Sequence, residues 1–171
     1  MTPTDWHIEI VTTEMPLLLE EARALFVEYY EWLGEVVCSE RLAEEIASLP
    51  APYAPPQGRL LLATNQRREA TGVVGVRYFE PGICEMKRLY VRPVARRSGL
   101  GRLLAEQAVG AARDLGYTEL RLTTLPGTMD AALALYRSLG FVDTGPFTDH
   151  SHVANGIDIA FLRLPLVPQG P

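Results

Sequence analysis

The sequence predicts an α/β fold of the α+β kind, with a mixed central sheet, and three observations lead to this prediction. The elements follow in the order β-α-α-β-β-β-α-β-α-β-β, which gives about six to seven strands and about four helices. Three strands in the first half are separated only by short turns, which favours antiparallel pairing there. The chain has 171 residues, 47% of them hydrophobic, enough for one domain (residues 1–171) with a proper core.

The strands are predicted where apolar residues alternate or run together between turn-forming residues. Polar or Pro-Gly turns at residues 65–68 and 81–82 separate three of them. Four prolines among the nine residues 50–58 rule out a helix or a central strand, so we expect a surface loop there. The predicted strands are residues 7–12, 59–64, 71–79, 83–91, 118–125, 141–142 and 157–164.

Four helices are predicted from their caps and from apolar residues spaced three and four apart. Thr13 can cap the first, which begins near Pro16 and ends at about Leu33; Ser39 can cap the second, which runs through Leu49. The third begins at Leu100 and closes at Gly116, and the fourth is capped by Thr128 and ends at Gly140. The expected inner face of the first helix is Leu18, Ala22, Leu25, Phe26, Tyr29 and Leu33, and that of the third is Leu100, Leu103, Leu104, Ala108, Ala111, Ala112 and Leu115.

The turn before the third helix has the composition of an anion-binding site. A helix start carries unpaired backbone N–H groups and partial positive charge. Gly99 and Gly101 allow a ligand to approach the backbone closely, and Arg96 and Arg97 add charge. The turn therefore suits a pyrophosphate, with an ordinary strand-to-helix turn as the alternative.

Two better-known phosphate loops fit this turn less well. A dinucleotide fingerprint needs a third glycine where Leu104 stands, and no acidic residue follows in the expected way at the end of a second strand. The Gly-Lys-Ser/Thr of a Walker A loop is absent.

The net charge limits the classes of binding partner, and the cysteine content indicates the cellular compartment. A net charge of −5 and a pI near 5.2 argue against nucleic-acid binding and lean towards a cationic or neutral substrate. Cys38 and Cys84 are far apart and suggest no disulfide framework, so we expect a cytoplasmic protein. We find neither a signal-peptide pattern nor an apolar run long enough to span a membrane, and expect no membrane partner.

Two segments resemble signatures of the GNAT superfamily of N-acetyltransferases. The pattern Arg96-x-x-Gly99-x-Gly101 is similar to the (Gln/Arg)-x-x-Gly-x-(Gly/Ala) signature of that family, and residues 134–141, Ala-Leu-Tyr-Arg-Ser-Leu-Gly-Phe, resemble its second signature. The resemblance covers roughly residues 58–164. It implies the GNAT fold, in which a splayed pair of parallel strands forms the coenzyme cleft, with acetyl-CoA as co-substrate and a small-molecule or peptide amine as acceptor. Homodimers are common among such proteins.

The resemblance also implies which residues hold the coenzyme. The main chain of Leu89, Tyr90 and Val91 would pair with the pantetheine arm. The turn would wrap the pyrophosphate through Arg96, Arg97, Ser98, Gly99, Leu100, Gly101 and Arg102. The chain departs from the family where many members have an Asn after the fifth strand, because residues 126–130 read Pro-Gly-Thr-Met-Asp. Either backbone atoms or Asp130 replace that Asn, or the coenzyme is held more loosely.

The resemblance implies a catalytic pair. Tyr136 stands where the family places its general acid, and a phenol is protonated near pH 7 and can donate to a departing thiolate. The alternative is that Tyr136 only packs against Leu133 and Leu139. Glu85, in the central strand, is the candidate general base, acting directly or through water; alternatively it is an ion-pair partner of Lys87 or Arg88.

An acceptor pocket is expected where the first helix ends. Tyr29, Trp32 and Glu35 could surround an amine there, or could simply be a helix end packed on the core. His150 and His152, between the last two strands, could border the acceptor site as bases or zinc-like ligands, or form a solvated loop; no metal is implied. Amino acid, polyamine, antibiotic, peptide N-terminus and protein lysine all stay open as acceptors. The rival functions are a non-catalytic acyl-CoA-binding module and an acyltransferase that uses another acyl-CoA.

Overall fold

The computed structural model describes residues 5–34, 39–148 and 156–167. They form a seven-stranded sheet and four α-helices, so the predicted fold class is confirmed. In chain order the elements are β1 His7–Ile10, α1 Pro16–Leu33, α2 Ser39–Ser48, β2 Arg59–Thr64, β3 Ala70–Glu80, β4 Ile83–Val91, α3 Leu100–Asp114, β5 Glu119–Thr124, α4 Asp130–Ser138, β6 Val142–Asp143 and β7 Ala160–Pro165. The strands lie in the order β1-β2-β3-β4-β5-β7-β6.

The sheet is antiparallel except at its centre, where β4 and β5 run parallel. Their pairing extends only from Ile83 opposite Glu119 to Glu85 opposite Arg121. β4 continues for six more residues along β3, while β5 continues along β7. The two strands therefore separate in the middle of the sheet and leave an opening between their unpaired edges.

Each face of the sheet buries its own apolar cluster. On one face, Leu100, Leu104 and Ala108 of α3 pack against inward residues of the strands, because the helix repeats its apolar residues every three to four positions. On the other face, α1 contributes Leu25 and Phe26 to a second cluster. The sheet is thus covered on both sides, and the ends of the helices are left to border the opening.

Several local predictions need correction. α1 begins after Met15 and α4 after Met129, and neither helix has a side-chain cap, so the capping roles expected of Thr13 and Thr128 are wrong. In the first turn of α1 the buried leucine is Leu19 and not the expected Leu18, which is only partly covered.

The proline-rich stretch is more ordered than a surface loop. Residues Ala51–Tyr53 form a 3-10 turn, and Tyr53 is fully buried. A Cβ at Gly75 in β3 would lie 2.5 Å from the Tyr53 ring, so this glycine leaves the space that the ring occupies. Tyr53 is thereby brought onto the sheet face that α1 and α2 cover.

No helix in the described part of the chain is both long and apolar enough to cross a bilayer.

Candidate active site

A cleft of about 310 Å³ opens where β4 and β5 separate. β4 forms one wall, and β5 with the start of α4 forms the other. The end of α1 and the first turn of α3 also reach it. The lining residues are Tyr29, Trp32, Met86, Lys87, Arg88, Leu89, Tyr90, Val91, Arg96, Gly101, Thr123, Thr124, Thr128, Met129, Ala131, Ala132, Leu135 and Tyr136.

The first turn of α3 presents backbone donors beside this cleft. Gly99 has φ +86°, a left-handed conformation that suits glycine, and Arg97 also has a positive φ of 60°. The N–H groups of Gly101 and Arg102 have no acceptor among the described residues, whereas the N–H of Leu100 donates to the Ser98 hydroxyl at 3.3 Å. Free donors at a positively polarised helix start form an anion-binding site.

The arginines of this turn point in different directions. Arg96 lines the cleft: its Nε donates to the Val91 carbonyl at 3.0 Å, and its guanidinium lies over the rings of Trp32 and Tyr90. Arg102 donates to the Ser138 hydroxyl at 2.6 Å and so ties α3 to α4. Arg97 is exposed.

The residues expected to hold the coenzyme fall into two groups. Leu89, Tyr90, Val91, Arg96 and Gly101 line the cleft, whereas Arg97, Ser98, Gly99, Leu100 and Arg102 surround it without lining it. Leu100 is buried in the core beneath α3, so only its backbone could contribute. Asp130 accepts from the Gly127 N–H at 2.7 Å and thereby orders the loop before α4; Thr128 and Met129 of that loop line the cleft instead.

Tyr136 lies in the cleft on α4, packed edge-on against Phe141 with ring centroids 5.8 Å apart. Its side chain is buried, and within the described residues its hydroxyl has no hydrogen-bond partner. Burial raises the pKa of this phenol, and Tyr29 nearby raises it further. Tyr136 therefore stays protonated at neutral pH, as a proton donor must.

Glu85 does not line the cleft. Its carboxylate is buried and lies 2.8 Å from an Arg77 guanidinium nitrogen and 3.5 Å from the Lys87 ammonium. The ion pair with Lys87 that was the alternative interpretation is present, and the role of base stays a prediction.

The expected acceptor residues are only partly described. Tyr29 and Trp32 line the cleft, and the Tyr29 ring contacts those of Trp32 and Tyr90 with centroids 6.3 and 5.9 Å away. Glu35, His150 and His152 lie outside the described residues. In the described ranges, no three His, Cys, Asp or Glu side chains come together in a way that could hold a metal ion.

Sequence reasoning missed a buried ionic network behind β4. Glu45 of α2 accepts from the Tyr30 hydroxyl at 2.5 Å, from the Tyr53 hydroxyl, and from the Arg88 guanidinium at 2.9 to 3.3 Å. Burial alone would raise the pKa of Glu45, but Arg88 and the two hydroxyls lower it overall. The sequence feature that could have indicated this network is Lys87-Arg88, two consecutive cations inside an otherwise largely apolar strand.

Comparisons with known proteins agree with this geometry. The model of the acetyltransferase (GNAT) family matches residues 19–141. An uncharacterised N-acetyltransferase of Schizosaccharomyces pombe is 36% identical over 159 residues, which cover 92% of this chain and 94% of that protein. The IAA acetyltransferase of Azospirillum brasilense is 42% identical over 128 residues, covering 72% of this chain and 78% of the relative.

Solved structures share the fold. The protein yncA of Salmonella typhimurium, solved with its cofactor acetyl-CoA, aligns over 98% of both chains with a TM-score of 0.64 and 21% identity. At that identity, the likeness shows a common architecture.

Proposed function

The chain belongs to the GNAT family of acetyltransferases, and we propose that it transfers an acetyl group from acetyl-CoA to the amine of a small molecule or peptide by direct attack. The observation that carries this proposal is the separation of β4 from β5 beyond Glu85. The first turn of α3 and Tyr136 both border the resulting cleft. The use of acetyl-CoA as the acetyl donor is a property of the family, so the choice of this donor rests on the chain's membership of the family.

The free backbone edges and the helix start suit the two parts of the coenzyme. The main chain of residues 89–91 in β4 would pair with the amides of the pantetheine arm, much as another strand would, and the Val91 carbonyl would then be shared with Arg96 Nε. The diphosphate would accept from the N–H groups of Gly101 and Arg102, where the helix start is positively polarised. Arg96 and Arg97 would add charge-assisted contacts. The thioester would then lie deeper in the cleft, towards Tyr136.

The reaction needs one bond to form and one to break. The neutral amine nitrogen attacks the thioester carbonyl carbon, and the carbon–sulfur bond breaks as the tetrahedral intermediate collapses. The leaving thiolate takes the proton of the Tyr136 hydroxyl, which regains a proton from solvent. The proton of the attacking amine passes to water or, through water, to Glu85. No covalent enzyme intermediate forms.

Thiol release tests this proposal. The protein is incubated with acetyl-CoA and a panel of amines, and free coenzyme A is measured over time, with coenzyme affinity measured separately by calorimetry. We expect Tyr136→Phe to lower turnover at least tenfold with little change in affinity, because a general acid acts in the chemical step. Tyr78→Phe, at a half-exposed tyrosine on β3, is the matched control and should leave turnover unchanged.

Three outcomes would contradict parts of this proposal. Coenzyme binding without thiol release for any amine would identify a non-catalytic acyl-CoA-binding module. Faster release from propionyl- or succinyl-CoA than from acetyl-CoA would identify a different acyl donor. Near-normal turnover of Tyr136→Phe would remove this residue from the mechanism.

A further inference from the structure

The cleft carries positive charge although the chain as a whole carries −5. Lys87, Arg88 and Arg96 line it, and among the described residues no Asp or Glu does. Arg96 adjoins the anion-binding turn of α3 and is accounted for by the coenzyme. The two cations on β4 remain to be explained.

Lys87 and Arg88 are too far from that turn to serve the diphosphate. A strand rises about 3.3 Å per residue, so Lys87, four residues before Val91, lies about 13 Å from the end of β4 beside α3. The two cations therefore lie at the part of the cleft where the acceptor, and not the coenzyme phosphate, is expected.

Arg88 already has a partner. Its guanidinium is bound to the Glu45 carboxylate at 2.9 Å and lies over the Tyr30 ring, 5.3 Å from the centroid. Its positive φ of 60° lies where the β3–β4 register shifts, so the strand backbone itself is shaped around this contact. Arg88 thus fixes the local structure and leaves little capacity for a ligand.

Lys87, in contrast, has donors to spare. Its Nζ lies 3.5 Å from Glu85 Oε1, and that same oxygen accepts from Arg77 Nε at 3.0 Å and lies 2.8 Å from Arg77 Nη2. An ammonium has three N–H donors, and Lys87 makes no hydrogen bond to a described residue at ordinary distance. Its side chain is 14% exposed, so the group is held in the wall of the cleft and is still reachable.

Keeping this cation in the wall is unfavourable for the protein alone. Burial lowers the pKa of Lys87 from 10.5 to about 8, and repulsion from Arg88 lowers it further than Glu85 can restore. The group nevertheless remains mostly protonated at pH 7. An anionic ligand would supply the negative charge beside the Lys87 ammonium that the protein itself does not provide.

The surroundings of Lys87 indicate the rest of the ligand. Tyr29, Trp32 and Tyr90 line the same cleft, the Tyr29 ring contacts the other two, and Trp32 is 46% exposed. Aromatic faces of this kind bury apolar side chains well.

Resting on the proposed function, we propose that the acceptor is an amino acid or another small amino carboxylate, whose carboxylate pairs with Lys87 while its side chain packs against Tyr29 and Trp32. The amine of such a molecule would face the thioester beside Tyr136. Such a molecule is a zwitterion of zero net charge near pH 7, so the assignment narrows the lean towards a cationic or neutral acceptor to a neutral one that carries a carboxylate.

Amino acids are compared with their amides to test the assignment, and every kcat/KM is expressed per neutral amine because loss of the carboxylate charge also lowers the pKa of the α-amine. Phenylalanine and leucine are compared with phenylalaninamide and leucinamide in the thiol-release assay, using wild type, Lys87→Met and Lys87→Arg. We expect wild type to prefer the acids by tenfold or more in kcat/KM, through a lower KM, since one charge-assisted hydrogen bond has an effect of this order. Lys87→Met should lose most of the preference, and Lys87→Arg should retain most of it. Arg67→Met, at an exposed residue in the turn after β2, is the control and should leave the ratio unchanged.

A binding measurement keeps this test separate from that of the proposed function. 3-Phenylpropionate, which has no amine, is titrated by calorimetry into the protein saturated with coenzyme A. We expect binding to wild type to be at least tenfold tighter than to Lys87→Met. Carboxylate binding without turnover of any amine would overturn the proposed reaction and leave the Lys87 site standing. Equal use of acids and amides by wild type, or equal 3-phenylpropionate affinity in wild type and Lys87→Met, would overturn the Lys87 site.

Discussion

Replacing Lys87 with methionine should stabilise the folded protein, because the buried ammonium destabilises it. Methionine has a similar length and shape but carries no charge. The partners of Lys87 are left in place, since Glu85 keeps its close ion pair with Arg77 at 2.8 Å. The substitution therefore removes one poorly compensated charge without creating another.

The magnitude follows from the pKa of Lys87. Burial, and then repulsion from Arg88, lower this pKa from 10.5 to about 8, and one pKa unit corresponds to about 1.4 kcal/mol. At pH 7 the charged form in the folded state therefore costs about 3 kcal/mol relative to the unfolded chain. Between pH 8 and 10.5 the unfolded chain still holds the proton that the folded protein has lost, so the stability of wild type rises with pH in this window.

Urea unfolding at several pH values measures the effect. At pH 7 we expect Lys87→Met to have a free energy of unfolding about 2 to 3 kcal/mol above that of wild type, with the difference fading as the pH approaches 10.5. Arg67→Met should change stability by less than about 0.5 kcal/mol, as exposed substitutions usually do. If Lys87→Met were less stable than wild type at pH 7, the ammonium would be a net stabilising partner of Glu85, and the reasoning would be refuted.

Three further predictions concern the coenzyme and the proton transfers. Gly99→Ala should weaken coenzyme A binding measured by calorimetry, because φ +86° disfavours a side chain by about 1 to 2 kcal/mol even though no atom crowds the site. Gly110→Ala, within α3, is the control. Equal affinities of Gly99→Ala and wild type would contradict the role of the turn. Glu85→Gln should remove the acidic limb of the pH–rate profile if Glu85 accepts the amine proton, and an unchanged limb excludes that role. Because burial raises the pKa of Tyr136, turnover should show no loss between pH 7 and 10 from its ionisation; a fall near pH 9 that disappears in Tyr136→Phe would argue that the phenol ionises there.

Much of the secondary structure could be predicted because local sequence patterns determine it. The bounds of β2 and β4 agree with the prediction, since apolar residues run between Pro, Gly and polar turns. Gly116 follows the end of α3 with φ +85°, as expected of a left-handed residue at a helix end. The turn before α3 could be recognised as a candidate anion-binding site for the same reason, because its glycines and arginines act on the backbone and charge next to them in the sequence.

The part of the cleft around Lys87 and Arg88 could not be predicted in the same way, because its geometry depends on distant segments. Glu45 meets Arg88 across 43 positions of sequence, and Tyr53 joins them from a proline-rich stretch that was expected to lie on the surface. The left-handed backbone at Arg88 is not signalled by a glycine. Periodicity alone could not show that Lys87 would be left facing the cleft while its neighbour was neutralised.

The most direct test of the account is a crystal structure of the protein with coenzyme A. We expect the diphosphate oxygens to accept from the N–H groups of Gly101 and Arg102, and the coenzyme sulfur to lie within hydrogen-bond reach of the Tyr136 hydroxyl, directly or through one water. A coenzyme bound away from the opening between β4 and β5, or a sulfur directed away from Tyr136, would contradict it.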